Sequence, residues 1–414
     1  VNIGYHIINS LMDTDWYIFT MAQLFLHKHP TAICRDTFKC RNPKETLFAT
    51  KTPSFMTTPY YLDWLESEID HYCTLKFTNE ELKWLSGHEY FKPDFIDWLE
   101  DFRPKRRYIN LVRHDNGRFD ITINGPITQQ IWFEVPILAI ISEIYGTGAI
   151  YHKDALEIGR KQLEKNIETV CSAFEMKIAD FGTRRRHSHA WQEEVITTFA
   201  GKDTRKPIRE WKYEAGWSAF VGTSNAYFAM KHNLTPIGTM AHKIICAYQQ
   251  LGGCRIIDSQ KAMFQDWTDE YRGDLGIALS DTLGFDKFLN DFDKYFSKLF
   301  DGARHDSGDP YEWGRKLINH YKSMNISPLT KTAIFSDGLT FDKAVKLFNV
   351  FSHHIQTSFG VGTKFTNDVG YIAPQIVIKL VECNGNPVAK ISDDPAKGMC
   401  EDASYIKYFS SLLK

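Results

Sequence analysis

The chain contains no CxxC pair. Its eight cysteines, Cys34, Cys40, Cys73, Cys171, Cys246, Cys254, Cys383 and Cys400, are scattered, which indicates neither a zinc site nor a disulfide framework and fits a reducing compartment. No stretch reaches the roughly 18 consecutive apolar residues of a membrane span. The nearest, VPILAIISEIYG from Val135, is interrupted by Glu143 and reads as a core helix. The first residues, VNIGYHIINSL, lack a basic segment followed by an apolar one, so no secretory leader is read there and the cytoplasm is the expected location. Charge of one sign is missing too: 49 Lys and Arg against 51 Asp and Glu leave a formal net charge of −2. Such a chain has no global field to draw nucleic acid or an anionic membrane, and neither is expected as a partner. Any anionic ligand must be held by local groups. There is no low-complexity segment, fixed-period repeat or Pro/Ser-rich linker.

What is present is length and apolar content, 414 residues with 43% hydrophobic, enough for a sizeable core and for one large and one smaller domain. Residues 1–126 mix helical and strand patterns. Leu62, Leu65, Ile69 and Tyr72 recur at helical steps, as do Phe95, Leu99 and Phe102, while Phe119, Ile121 and Ile123 alternate as in a half-buried strand. A small α+β domain ending near Pro126 is expected. From Ile127 the texture changes to helices alternating with short apolar strands. Leu156, Leu163, Ile167, Val170 and Phe174 stripe one long helix.

Seven strand candidates alternate with helical stretches: MKIADFGTR, SAFVGTSN, TPIGTMAH, GIALSDTLG, GARHDSGDP, TAIFSDG and IQTSFGVGT. Alternation of this kind predicts parallel βα units. Seven units fit a barrel better than an open sheet, which the pattern also permits. Each strand ends in small or reactive residues: Phe181 to Arg184, Thr223 to Asn225, Thr239 to His242, Asp281 and Thr282, Arg304 to Asp306, Ser336 to Gly338, and Gly360 to Thr363. In a βα barrel those ends share one rim, which is where active sites lie. Turn chemistry explains the Gly, Ser and Asp at these points but not the Arg and His.

A lone histidine is more often structural than reactive, so His242 draws its interest from the company it keeps. Gly360, Gly362 and Thr363 form a loop whose backbone N–H groups suit a phosphate, or simply a tight turn; Gly338, one unit earlier, would line the same pocket. Asp281 and Asp306 suit sugar hydroxyls or Mg²⁺. Arg304 suits a carboxylate or phosphate, or else an ion pair with one of those aspartates. Of Arg184, Arg185 and Arg186, one or two are expected to face the rim. Phe181 is a stacking surface or a core ring. Together these residues suit a phosphorylated sugar and a small anionic aromatic.

The motifs LMDTDWY, DFGTRRRHS, VGTSN, PIGTMAH, LSDTLGF, RHDSGDPYEWG, FSDGL, SFGVGTKFTND and QIVIKLVECNGNPVAKISD resemble, in this order and over nearly the whole chain, those of nicotinate phosphoribosyltransferases of the bacterial and fungal type. The resemblance implies transfer of 5-phosphoribosyl from phosphoribosyl pyrophosphate to nicotinate, coupled to ATP hydrolysis, with Mg²⁺. It implies an irregular α/β barrel over 127–371 and an α+β domain built from 1–126 and the tail 372–414. A homodimer is implied as well, with Tyr17 of one subunit stacking on the pyridine ring opposite Phe181 of the other. By the same resemblance Thr239 and Arg304 would bind the nicotinate carboxylate, and Arg184 would lie beside the reacting phosphates. Asp281 and Asp306 would engage ribose or Mg²⁺, Gly362 and Thr363 the 5′-phosphate, and His242 would be the autophosphorylated histidine.

Two positions refine that expectation. Nicotinamide-using relatives carry an aspartate where this chain has Ser224, which favours the acid over the amide as substrate. Many bacterial members have glutamate after the histidine, whereas this chain has Lys243, so a cation beside His242 is expected to disfavour imidazolium and favour an anionic phosphoryl group. Two other functions stay open at this stage: a related enzyme acting on nicotinamide or quinolinate, and an inactive nucleotide-binding paralogue. The presence of Asp281, Arg304 and Asp306 speaks against the paralogue.

Overall fold

Two β-sheets of opposite character organise the chain. In a computed structural model, residues 5–41, 47–48, 58–114, 118–150, 152–173, 175–201 and 219–413 are described. The segment 202–217, to which the sequence assigns no role, lies outside them, as does Phe174.

The strands are β1 (Ile33–Cys40), β2 (Ile109–Arg113), β3 (Phe119–Pro126), β4 (Ile178–Asp180), β5 (Phe220–Thr223), β6 (Arg272–Leu275), β7 (Ile277–Leu279), β8 (Gly302–His305), β9 (Thr332–Phe335), β10 (Gln356–Val361), β11 (Ile376–Cys383) and β12 (Asn386–Pro387). One sheet is antiparallel in the order β12-β11-β1-β3-β2, so C-terminal strands pair directly with N-terminal ones. The other runs β5-β4-β10-β9-β8-β7 and is parallel throughout. β6 lies in neither. Parallel pairing places the C-terminal ends of six strands along one edge.

Six of the seven predicted strands of the second half form. The seventh, at Pro236–Thr239, does not: only Pro236 bridges to Thr223 in parallel. Pro236 has no N–H to give a ladder, and Gly238, at φ 148°, leaves strand geometry. The segment still touches both edges of the parallel sheet, since the Thr239 hydroxyl donates to the Ile277 carbonyl of β7 at 2.7 Å. The segment therefore links β5 and β7 by a bridge and a side chain rather than by a ladder.

The helix Glu134–Ile144 is buried at every residue and packs against the turn Thr183–Arg185, the helix Thr58–Tyr72 and β11. By composition the helical stretch Ile127–Ala149 could cross a membrane, but it is largely buried inside the protein, as expected of a core helix. The alternating Phe119, Ile121 and Ile123 are buried, as are Leu62, Leu65, Ile69 and Tyr72. The long helix Ala155–Cys171 departs from its predicted stripe at the start. Leu156 is exposed, and Ala155 and Gly159 take the inner positions. A Cβ on Gly159 would stand 2.7 Å from the Trp191 ring, so only glycine permits this approach.

Candidate active site at the strand ends

Ala241 caps a short helix beginning at His242, and this puts the imidazole over the ends of β7 and β8. Its Nε2 lies 2.8 Å from Asp281 Oδ1 and 3.5 Å from Asp306 Oδ2. A nitrogen facing a carboxylate at that distance carries the proton, which leaves the lone pair of the neutral ring on Nδ1. Burial, reinforced by the Lys390 ammonium and opposed by Asp281, pushes the imidazole down to about 4, so it is neutral at pH 7. Burial alone would raise the Asp281 carboxyl, but His242, Lys390 and the Ser307 hydroxyl outweigh it and hold the group well below the usual carboxylate range. Ser307 donates to Asp281 Oδ2 at 2.7 Å, and Lys390 stands 3.1 Å from the same oxygen. Both Asp281 oxygens are thus engaged. Asp306 is more open: Ser336 donates to its Oδ1 at 3.0 Å, and its side chain is 30% exposed.

Lys243 does not stand beside the imidazole, contrary to the expectation from its place in the chain. The helix turns it the other way, into the antiparallel sheet, where Nζ lies 2.6 Å from Asp36 Oδ2 of β1. Adjacent residues on a helix point about 100° apart, and the space on that side is filled by a buried carboxylate. The cation that acts on His242 is Lys390, from the C-terminal tail. The carboxylate that orients the ring is Asp281, so a glutamate at 243 is not needed for that purpose.

Arg304, midway along β8, and Asp306, just after it, are both partly accessible, while His305 between them is buried against Trp313 and Phe335. Arg304 donates from Nη2 to the Met240 carbonyl at 3.0 Å, and its buried Nε has no protein acceptor. Among the described residues it makes no ion pair with an aspartate, so the structural alternative for this side chain is not what is found. The Thr239 hydroxyl has its proton committed to Ile277, and its own carbonyl accepts from Thr20.

The three arginines diverge. Arg184 faces the rim, with Nε 3.5 Å from Asp15 and Nη1 3.7 Å from Glu134. Arg185 donates to the Ile376 carbonyl. Arg186 is fully buried and grips Asp13 with two hydrogen bonds, at 2.7 and 2.8 Å. That grip, with Asn225 also on Asp13, fixes the 12–17 segment along the end of β5. Trp16 N–H donates to the Ser224 carbonyl, and Asp15 bridges to Asn225. Tyr17 is consequently set within its own chain, its ring 5.9 Å from the Arg184 guanidinium. The resemblance implies Tyr17 over a partner subunit's rim; within this chain it lies beside Arg184 of the same rim.

Ser224 donates to Asp15 Oδ1 at 2.8 Å. A residue without charge at 224 therefore does not leave the spot without charge; Asp15 supplies it and Arg184 balances it. Phe181 is half-buried and packs against Gly360, where a Cβ would come within 2.3 Å of its ring. Gly338, Gly362 and Thr363 follow β9 and β10, so both loops open on the same edge. Gly338 is exposed at φ 53° with space around it.

Three further cations reach this edge from the C-terminal tail. Lys379, on β11, lies 3.8 Å from Glu134, and burial, aided by Arg184 and Lys390, pushes it down to about 8. Lys390 is on Asp281, and Lys397 pairs with Asp337 and donates to the Asp306 carbonyl at 3.1 Å. None of the three was singled out from sequence. The available signal was a lysine inside the mostly apolar run IVIKLVEC and two more in the stretch NGNPVAKISDDPAK that follows it.

A Mg²⁺ ion fits only part of this donor set. His242, Asp281 and Asp306 place ligand atoms within 4.8 Å of one another. However, Asp281 has both oxygens engaged, one of them with an ammonium, and a hard cation prefers free oxygen ligands. Asp306 fits; Asp281 does not.

Comparison with known proteins follows the same lines. The sequence profile of the Nicotinate phosphoribosyltransferase (NAPRTase) family matches residues 176–414, and that of the NAPRTase N-terminal domain matches 12–142. A nicotinate phosphoribosyltransferase of Ralstonia nicotianae is 47% identical over 98% of this chain and 99% of its own. One from Burkholderia ambifaria is 46% identical over 98% and 97%. Among solved structures, a nicotinate phosphoribosyltransferase from Vibrio cholerae superposes with a TM-score of 0.86 at 33% identity, covering 98% of this chain and 94% of that one. Another, from Porphyromonas gingivalis, gives 0.85 at 29% identity, covering 98% and 100%.

Proposed function

The chain belongs to the nicotinate phosphoribosyltransferase family, and from that premise we propose that it transfers 5-phosphoribosyl from phosphoribosyl pyrophosphate to the ring nitrogen of nicotinate. The products are nicotinate mononucleotide and pyrophosphate, in pyridine nucleotide salvage toward NAD. The observation that carries this reading is one edge on which Arg184, Arg304, Lys379, Lys390 and Lys397 surround a buried neutral histidine held by a carboxylate. Such an edge suits polyanionic substrates and phosphoryl chemistry.

In this reading nicotinate stacks between Tyr17 and Phe181, and its carboxylate meets the free Nε of Arg304, with Thr239 holding the neighbouring backbone and Ser224 holding Asp15. The 5′-phosphate takes the Gly338 and Gly360–Gly362–Thr363 loops. Arg184 and the three lysines take the pyrophosphate. As the bond to pyrophosphate breaks, positive charge develops at the anomeric carbon, and the carboxylates of Asp281 and Asp306 stabilise it.

ATP coupling is proposed to run through His242. The Nδ1 lone pair attacks the γ-phosphorus of ATP, a nitrogen–phosphorus bond forms, and the bond to the ADP oxygen breaks. Asp281 keeps the ring in the tautomer this requires, and Lys390 offsets charge on the transferred group. Mg²⁺, bound with the pyrophosphate oxygens and Asp306, would neutralise phosphate charge. The reading includes a cytoplasmic homodimer and keeps 1–126 with 372–414 as one domain and 127–371 as the other; its support there is family resemblance.

The test is product formation with phosphoribosyl pyrophosphate, Mg²⁺ and each of nicotinate, nicotinamide and quinolinate, with and without ATP. Mononucleotide from nicotinate, stimulated by ATP, is expected. Product only from nicotinamide or quinolinate would overturn the substrate assignment.

A further inference from the structure

Behind the rim, one buried carboxylate faces three cations. Glu134, at the start of the helix Glu134–Ile144, lies 3.7 Å from Arg184, 3.7 Å from Lys243 and 3.8 Å from Lys379. Burial alone would raise its carboxyl, but Lys379, Lys243 and Arg184 outweigh that and keep it ionised. The three cations are not held alike. Lys243 is anchored independently, at 2.6 Å from Asp36 on β1, and it directly follows His242. Among the described residues, the carboxylate contacts of Arg184 and Lys379 are all 3.5–3.8 Å long, to Asp15 and Glu134 for the first and to Glu134 for the second, which suits donors offered to a substrate.

We propose that Glu134 is a positioning residue of this reaction, holding Arg184 and Lys379 at the rim and tying both, through Lys243, to the helix that begins at His242. The inference rests on the function proposed above. Without the Glu134 charge, Arg184 keeps Asp15 and Lys390 keeps Asp281, but Lys379 faces both cations with no near carboxylate, and like charges in a buried setting separate or discharge. Lys379 is the one to discharge. It is already lowered to about 8 by burial, Arg184 and Lys390, and the charges opposing that are Glu134 and the more distant Asp306.

The experiment compares the full-length protein with Glu134→Gln, which keeps the shape and removes the charge. KM for phosphoribosyl pyrophosphate is measured from pH 6.5 to 9, alongside kcat, KM for nicotinate and thermal melting. The expected result is a KM for phosphoribosyl pyrophosphate raised about tenfold, with its rise at alkaline pH displaced downward by about one unit and kcat within about threefold. Glu134→Asp should retain part of the effect. A folded Glu134→Gln protein with unchanged KM and pH profile would overturn the proposal. If that variant does not fold, Lys379→Arg decides: arginine keeps its proton over this range, so the alkaline rise should disappear, and its persistence would overturn the proposal. Wild-type protein that makes no nicotinate mononucleotide would instead sink the functional reading.

Discussion

His242 Nε2 and Asp281 Oδ1 stand 2.8 Å apart in a buried setting, with Ser307 and Lys390 completing the carboxylate. A carboxylate so engaged selects one tautomer of its imidazole partner and fixes the ring plane. Asp281→Asn leaves the volume unchanged but can present an N–H to Nε2, which moves the ring proton to Nδ1. The expected loss in kcat is about 10²–10⁴-fold, with a lowered melting temperature, since Lys390 loses its buried anionic partner. Steady-state kinetics with ATP present, and melting of the same sample, check it.

Acid should weaken the fold through the same residue. The imidazole titrates at about 4 in the folded protein, below its usual 6.5, so between those values the unfolded chain binds more protons. Stability therefore falls as pH drops from about 6.5 towards 4, by about 3 kcal/mol from this group, the order set by its shift. His187, also lowered to about 4 by burial, adds in the same direction. Denaturant unfolding at pH 7, 5.5 and 4.5 should show the loss, and His242→Gln should remove part of it.

Gly360→Ala should strain the seat of Phe181. The added Cβ would meet the ring at 2.3 Å, so the ring has to move. A stability cost of about 1–3 kcal/mol is expected, together with a raised KM for nicotinate and little change in KM for ATP. Equal rises in both would count against a stacking role for Phe181.

Arg304→Gln should act mainly on nicotinate. The guanidinium has one donor spent on Met240 and a buried Nε without an acceptor, so it suits a carboxylate. Losing a charge-assisted hydrogen bond of about 1.5–3 kcal/mol corresponds to a KM for nicotinate raised about 10–100-fold. The acid-to-amide preference, measured as the ratio of kcat/KM for nicotinate and nicotinamide, should fall with it. An unchanged ratio would move the carboxylate contact elsewhere, with Arg184 the next residue to examine.

Much of this site was legible in the sequence because strand ends mark themselves with small and polar residues. His242, Asp281, Arg304 and Asp306 could be placed on one rim from the alternation of strands and helices alone, and β7, β8, β9 and β10 form where the pattern puts them. What was not legible has physical reasons. The segment around Thr239 reads as a strand by residue type, but Pro236 and Gly238 deny it a ladder. Lys243 follows His242 in the chain, yet the helical turn sends it to Asp36, and no local pattern gives that direction. The lysines at 379, 390 and 397 belong to the C-terminal tail, and only the long-range pairing of β11 with β1 shows that this tail returns to the rim. Asp15 and Tyr17 are likewise brought in by the buried Arg186–Asp13 pair, 173 residues apart.

The most direct measurement is the phosphorylation state of His242. Protein incubated with ATP and Mg²⁺, digested at alkaline pH and read by mass spectrometry, should carry an acid-labile phosphoryl group on the peptide containing His242, and adding phosphoribosyl pyrophosphate and nicotinate should discharge it as mononucleotide forms. ATP-stimulated turnover with no phosphoryl group on His242, or with ATP stimulation retained in His242→Ala, would contradict it.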